Sequence, residues 1–238
     1  MRTRFLFLLL AVLSVASAAE APEPSLLVFP GVDGYELEGL FYPPLKRGAP
    51  VVVCLHGLGK NPSVWGELPG RLLAEGYGVF ALRLRGHPEK ARGKRNWLQM
   101  ETDEFARMAS DLEAARACLV RRPEVDPDRL ALLGEEFGAN LALAGGRSPS
   151  FRAAVLLTPR LDARGLKGPD LLEAFGARPV LALASADDPQ GVKTLEVFTG
   201  KAGGAFETVL LPPDPSEGDF GAAMLSDPGK PELIGKIL

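Results

Sequence analysis

The chain is 238 residues long, 46% hydrophobic and 24% charged, with 27 basic and 30 acidic side chains and a formal net charge of -3. That is the make-up of a globular chain able to bury a sizeable core, and it excludes a basic nucleic-acid footprint over the chain as a whole. Two cysteines exclude a disulfide-rich scaffold and a four-cysteine zinc site. Imidazole chemistry is confined to two positions, His56 and His87.

The N-terminus reads as an export signal. Arg2 and Arg4 precede an apolar run from Phe5 to Leu13, and Ala16-Ser17-Ala18 supplies a small-x-small cleavage pattern. The run is shorter than the 20 or so apolar residues that a membrane-spanning helix needs. The first 53 residues hold no cysteine, so lipid anchoring at the cleavage site is excluded. Residues 1–18 are therefore expected to be removed, leaving an exported chain, periplasmic or secreted, with no stable membrane anchor. Residues 19–25 then form a linker and residues 26–238 a single domain.

Beyond the linker, Leu26 to Phe29 and Tyr35 to Tyr42 read as strands joined around Asp33-Gly34, a hairpin signal. Pro50 to Leu55 is a continuous apolar strand. Pro62 to Glu75 is an amphipathic helix stopped at Gly76, and Val79 to Leu84 is the next strand. Glu101 to Arg121 carries Phe105, Met108, Leu112, Ala115 and Leu119 at helical spacing and halts before Pro123. Leu130 to Leu133 is a strand leading directly into a small apolar helix, Gly138 to Ala144. Strands follow at Ala153 to Leu157, Val180 to Ala184 and Phe206 to Leu211, with a helix from Gly191 to Lys201 between the last two. A short helix, Pro231 to Leu238, ends the chain. Strands apolar on both faces and separated by helices define an α/β fold with a mainly parallel sheet covered on both sides. In such sheets functional groups gather where the strands end at their carboxyl edge.

Five segments at that edge resemble the α/β-hydrolase superfamily, in particular its small esterase and dienelactone-hydrolase-like members. His56-Gly57 after the third strand resembles the loop that supplies one oxyanion-hole amide. Leu84-Arg85-Gly86-His87 is similar to the loop after the following strand. Leu130 to Asn140 resembles the strand, nucleophile elbow and helix start. Leu161 to Leu166 and Ala184 to Pro189 resemble later loops, the second of which carries the acid. The resemblance spans about residues 50 to 225 in the order the fold requires. It implies an α/β-hydrolase-like fold with an N-terminal antiparallel hairpin and without a sizeable lid domain.

The catalytic positions depart from the family. The elbow glycines stand as Gly134 and Gly138, but Glu136 occupies the place of the nucleophilic serine. The acid position falls on Asp188, with its neighbour Asp187 an equal choice of alignment. The late histidine is expected in Glu217-Gly218-Asp219-Phe220-Gly221, where Phe220 takes its place, and no histidine follows His87. Glutamate is a methylene longer than the aspartate that some members use as a nucleophile. Any ester it formed would also lack the imidazole base worth about 10²–10⁴-fold. By position, the oxyanion donors are the amides of Leu58 and Phe137. A carboxylate at Glu136 must turn toward those amides or pair with a cation, with Arg160 first by fold position and Arg85 and His56 behind it. His56, Gly57, Leu58, Phe137 and Arg160 are thus the pocket residues.

Arg83, Arg85, Lys90, Arg92, Lys94 and Arg95 form a basic segment beside this cleft, either an anion site or a solvated loop. Asp187-Asp188 and Glu135-Glu136 do not match a metal-ligand spacing, and neither a metal nor an organic cofactor is implied. Trp65 and Trp97 read as packing residues. Export makes a Cys54–Cys118 bridge chemically possible, while Cys54 in a buried strand reads as a free thiol. Three functions follow: a non-catalytic protein that binds a small ligand or a protein partner, a divergent ester hydrolase, or a structural domain whose pocket has filled.

Overall fold

The computed structural model describes residues 23–88, 96–146, 148–212 and 221–225. The export signal, Lys90, Arg92, Lys94, Arg95, Phe220 and the terminal helix at 231–238 lie outside the described residues. In chain order the elements are β1 (Ser25–Pro30), β2 (Glu36–Tyr42), β3 (Ala49–Leu55), α1 (Leu68–Ala74), β4 (Gly78–Arg83), α2 (Thr102–Leu119) and β5 (Val125–Glu135). They continue with α3 (Phe137–Gly145), β6 (Phe151–Leu157), β7 (Asp162–Ala163), β8 (Leu166–Lys167), α4 (Gly168–Phe175), β9 (Val180–Ser185), α5 (Pro189–Lys201) and β10 (Phe206–Leu211).

Among the described residues eight strands form one sheet in the order β1-β2-β4-β3-β5-β6-β9-β10. The hairpin β1–β2 and its seam with β4 are antiparallel, and every pair from β4 to β10 is parallel. Gly34 at φ 80 makes the hairpin turn, where Asp33 accepts the Tyr35 amide at 3.1 Å. The parallel strands are buried on both faces. On β3, Val51, Val53 and Leu55 join the core under α2 and α3, while Val52 and Cys54 join the core shared with Trp65, Leu68 and Leu72. This period-two partition makes such strands read as unbroken apolar runs.

Two expectations change. The helix predicted over 62–75 divides into a 3-10 turn, Pro62–Trp65, and α1. Gly66 at φ 45 breaks it, with Asn61 capping the Ser63 amide and Trp65 buried below. The second is α4, with the small β7–β8 hairpin before it, in a stretch that reads as loop. Leu171, Leu172 and Phe175 are its buried face. Cys54 on β3 and Cys118 on α2 are free thiols.

Candidate functional site

The turn from β5 into α3 brings Glu136 to the carboxyl edge of the sheet. Its backbone sits at φ 51, ψ -113, a conformation strongly disfavoured for a side chain larger than glycine. The strain is held by tight backbone packing. A Cβ on Gly134 would strike the Gly138 carbonyl, and one on Gly138 would strike that of Leu55. The Glu136 amide donates to the Leu157 carbonyl at 2.9 Å. Thr158, next along β6, is also at positive φ (48) and buried, so two adjacent strands end in strained residues at the same edge.

The two elbow carboxylates have different fates. Glu136 leans over the loop after β3: one oxygen lies 3.9 Å from Lys60 Nζ, and the other is 2.8 Å from where a Gly57 Cβ would stand. Its side chain remains 31% exposed. Glu135 is wholly buried and accepts from the Gly57 amide at 3.1 Å, Lys60 Nζ at 3.2 Å and the Ala222 amide at 2.7 Å. The amides of Leu58 and Phe137 have no acceptor among the described residues. Glu136 thus turns to the loop after β3 and takes its cation, Lys60, from that loop.

Arg160, the cation expected for Glu136, bonds instead to Asp188 across 2.6 Å. Asn140 on α3 fixes it there, accepting from the Arg160 amide at 3.0 Å and donating to the Arg160 and Leu166 carbonyls, each at 2.8 Å. Asp188 follows β9 and is buried, whereas Asp187 is exposed and accepts the Ser185 hydroxyl. Arg85 is also committed elsewhere, to Asp33 and Asp111. Arg83 pairs with Glu38 at 2.7 Å. The other four members of the basic segment lie outside the described residues. A cavity of about 420 Å³ opens beside Lys60, with Arg83, His87, Asn96 and Trp97 in its wall.

Both histidines serve the loops. His56 Nε2 accepts the Leu84 amide at 3.1 Å, so its Nδ1 carries the proton to the Gly57 carbonyl at 2.8 Å. His87 Nε2 accepts the Gly59 amide at 2.9 Å, and Nδ1 donates to the Arg85 carbonyl at 3.0 Å. Burial pushes His56 down to about 3 and lowers His87 as well. The unfolded chain takes up protons near pH 6.5 that these folded imidazoles refuse. The stability His56 confers is therefore whole above pH 6.5 and drains away as pH falls toward 3, and that of His87 falls in the same direction below pH 6.5. Urea unfolding at pH 7.5, 6, 5 and 4.5 is expected to lose about 1.4 kcal/mol per pH unit for each imidazole that titrates. A flat profile between pH 6.5 and 4.5 would contradict their burial in neutral form.

Sequence reasoning assigns no role to Lys60 or Asn140 and weighs Glu135 only with Glu136, as a carboxylate pair without metal-ligand spacing. The legible signal was the doubled carboxylate Glu135-Glu136, one residue more than an elbow uses, and a lysine three residues after Gly57.

Residues 52–232 match the alpha/beta hydrolase family. The chain belongs to that family. None of the curated proteins matches it in sequence. Among solved structures it is similar to DcsB in complex with its substrate analogue, at 13% identity over 90% of this chain and 97% of that one, with a TM-score of 0.73. The α/β hydrolase GrgF from Penicillium sp. sh18 gives 14% identity, 91% and 97% coverage and a TM-score of 0.73. An acetyl xylan esterase from Paenibacillus sp. R4 gives 18% identity, 93% and 86% coverage and a TM-score of 0.71. At these identities the likeness is one of fold.

Proposed function

We propose that this protein is an exported, non-catalytic member of the α/β-hydrolase family that binds a small ligand at the carboxyl edge of its sheet. One observation carries the reading. The carboxylate of Glu136, at the position that the family resemblance gives to the nucleophile, lies against the loop of Gly57 and Lys60, while both imidazoles of the chain have each ring nitrogen bonded to backbone. A hydroxyl or carboxylate at the elbow then has no imidazole base, and a carboxylate at Glu136 repels a developing oxyanion. The Ala16-Ser17-Ala18 pattern supports export, with the mature chain starting near Ala19. N-terminal sequencing of the protein from its source cell tests that start, and an intact Met1 rejects it.

Short acyl esters of p-nitrophenol test the absence of catalysis. The wild type is expected to match Glu136→Ala at the uncatalysed background, and Glu136→Ser alone is expected to stay there too. Wild-type turnover abolished in Glu136→Ala would make the glutamate catalytic and establish the divergent-hydrolase reading instead.

A further inference from the structure

The strongest unassigned feature is a cavity of about 290 Å³ between the segment after β6 and the start of α5. Arg160, Leu161 and Asp162 form one wall, and Pro189, Gln190 and Lys193 face them. Arg160 is a fixed guanidinium: its backbone is held on both sides by Asn140, and one Nη bonds to Asp188. Its remaining N–H groups have no acceptor among the described residues. Lys193 sits largely exposed on the rim beside Glu196. The wall also includes the first turn of α5, a helix of 13 residues whose leading N–H groups favour negative charge.

We propose that this cavity binds a small organic monocarboxylate, its oxygens on the Arg160 N–H groups that Asp188 does not take and its carbon chain against Leu161 and Pro189. A guanidinium presents paired donors that suit a carboxylate in a way that a point charge does not. The volume, at the low end for ligand pockets, admits a compact body of a few carbons. The opposing charges set the limit. Asp188 neutralises part of Arg160, Glu196 pairs with Lys193, and Asp162 adds a carboxylate whose Oδ1 already takes the Gly165 amide at 2.7 Å. With two cations against three carboxylates the cavity carries no surplus positive charge, so binding rests on the directed donors of Arg160, and the dianionic form of phosphate is expected not to bind. The assignment rests on the ligand-binding reading above, but it is measured without any turnover.

The test titrates hexanoate, hexanamide and inorganic phosphate into the full mature chain at low salt, following thermal unfolding and heat of binding. Hexanoate is expected to raise Tm saturably, while the neutral amide and phosphate leave it unmoved. Arg160→Gln is expected to weaken hexanoate at least tenfold. Because that variant also strips Asp188 of its partner, Lys193→Glu on the exposed rim is the second probe, with a several-fold loss expected. A silent hexanoate titration, equal binding of hexanamide or phosphate, or unchanged affinity in Lys193→Glu would each overturn the proposal. Ester turnover by the wild type would reject the non-catalytic reading and leave these titrations to answer their own question.

Discussion

Replacing Asp111 by alanine is expected to destabilise the protein by about 3–5 kcal/mol, the usual consequence of removing one partner from a buried ion pair. Asp111 on α2 and Arg85 after β4 are both buried, with the guanidinium donating to the two Asp111 oxygens at 2.9 and 2.6 Å. The same guanidinium donates to Asp33 in the β1–β2 turn at 2.6 and 3.0 Å and lies over the Tyr35 ring at 4.4 Å. One arginine therefore ties the N-terminal hairpin, a sheet strand and the long helix together. Alanine at 111 leaves its charge desolvated with only the half-exposed Asp33 to answer it. Asp33→Ala should cost much less, because water replaces that partner. The Arg85 hydrogen bond pulls the Asp33 carboxyl down to about 2. Its contribution is present above pH 4 and is lost as pH falls through 2, a window below that of the histidines. Guanidinium unfolding of both single variants, with Arg85→Met/Asp111→Leu as the apolar control, measures this. A loss under about 1 kcal/mol for Asp111→Ala would show that the pair is solvated.

Arg85 also shows where reading a sequence stops. From residue order it belongs to a basic run at the cleft, an anion site or a solvated loop, and it stands behind Arg160 as a cation for Glu136. Its partners are Asp33 and Asp111, 52 and 26 residues away, and no local pattern announces either. What was legible depends on local geometry. Val51 to Leu55 is apolar at every position because the strand is buried on both faces. The Gly134 and Gly138 spacing is legible because neither position has room for a Cβ. Asp33-Gly34 is legible because the turn needs a positive φ.

The assignment of cations to carboxylates was not legible, because it depends on which side chain reaches which loop. Arg160 and Lys60 both border the elbow, yet each meets a different acid, Asp188 and Glu135–Glu136 respectively. The helix α4 was missed for a different reason. In eight residues its apolar face is only Leu171, Leu172 and Phe175, too short for a period to stand out, and α3, which packs on it, supplies the rest.

Glu135→Ala is expected to remove about 3 kcal/mol and to release the segment 221–225 from the body of the protein. The carboxylate is the acceptor for two backbone amides, Gly57 and Ala222, and for the ammonium of Lys60. Each buried amide left without an acceptor costs about 1–3 kcal/mol, and the lysine retains only the longer contact with Glu136. Glu135→Gln keeps the shape but turns an N–H₂ toward donors, so it should fall between wild type and alanine. The packing around the acid is equally strict. Gly221, at φ 80, passes so close that a Cβ would run into the Glu135 carboxylate, and Gly221→Ala should reproduce the release without touching the charge. Hydrogen exchange at the Ala222 amide reports the local effect, and limited proteolysis around Met224 and Leu225 reports the same opening on a slower scale. Both should accelerate in Glu135→Ala and Gly221→Ala while exchange in β3 and β6 follows only the global loss of stability. Unchanged exchange at Ala222 in both variants would mean that the segment is held by Ala222, Met224 and Leu225 packing on the sheet alone, with the buried carboxylate serving only the loop of Gly57 and Lys60.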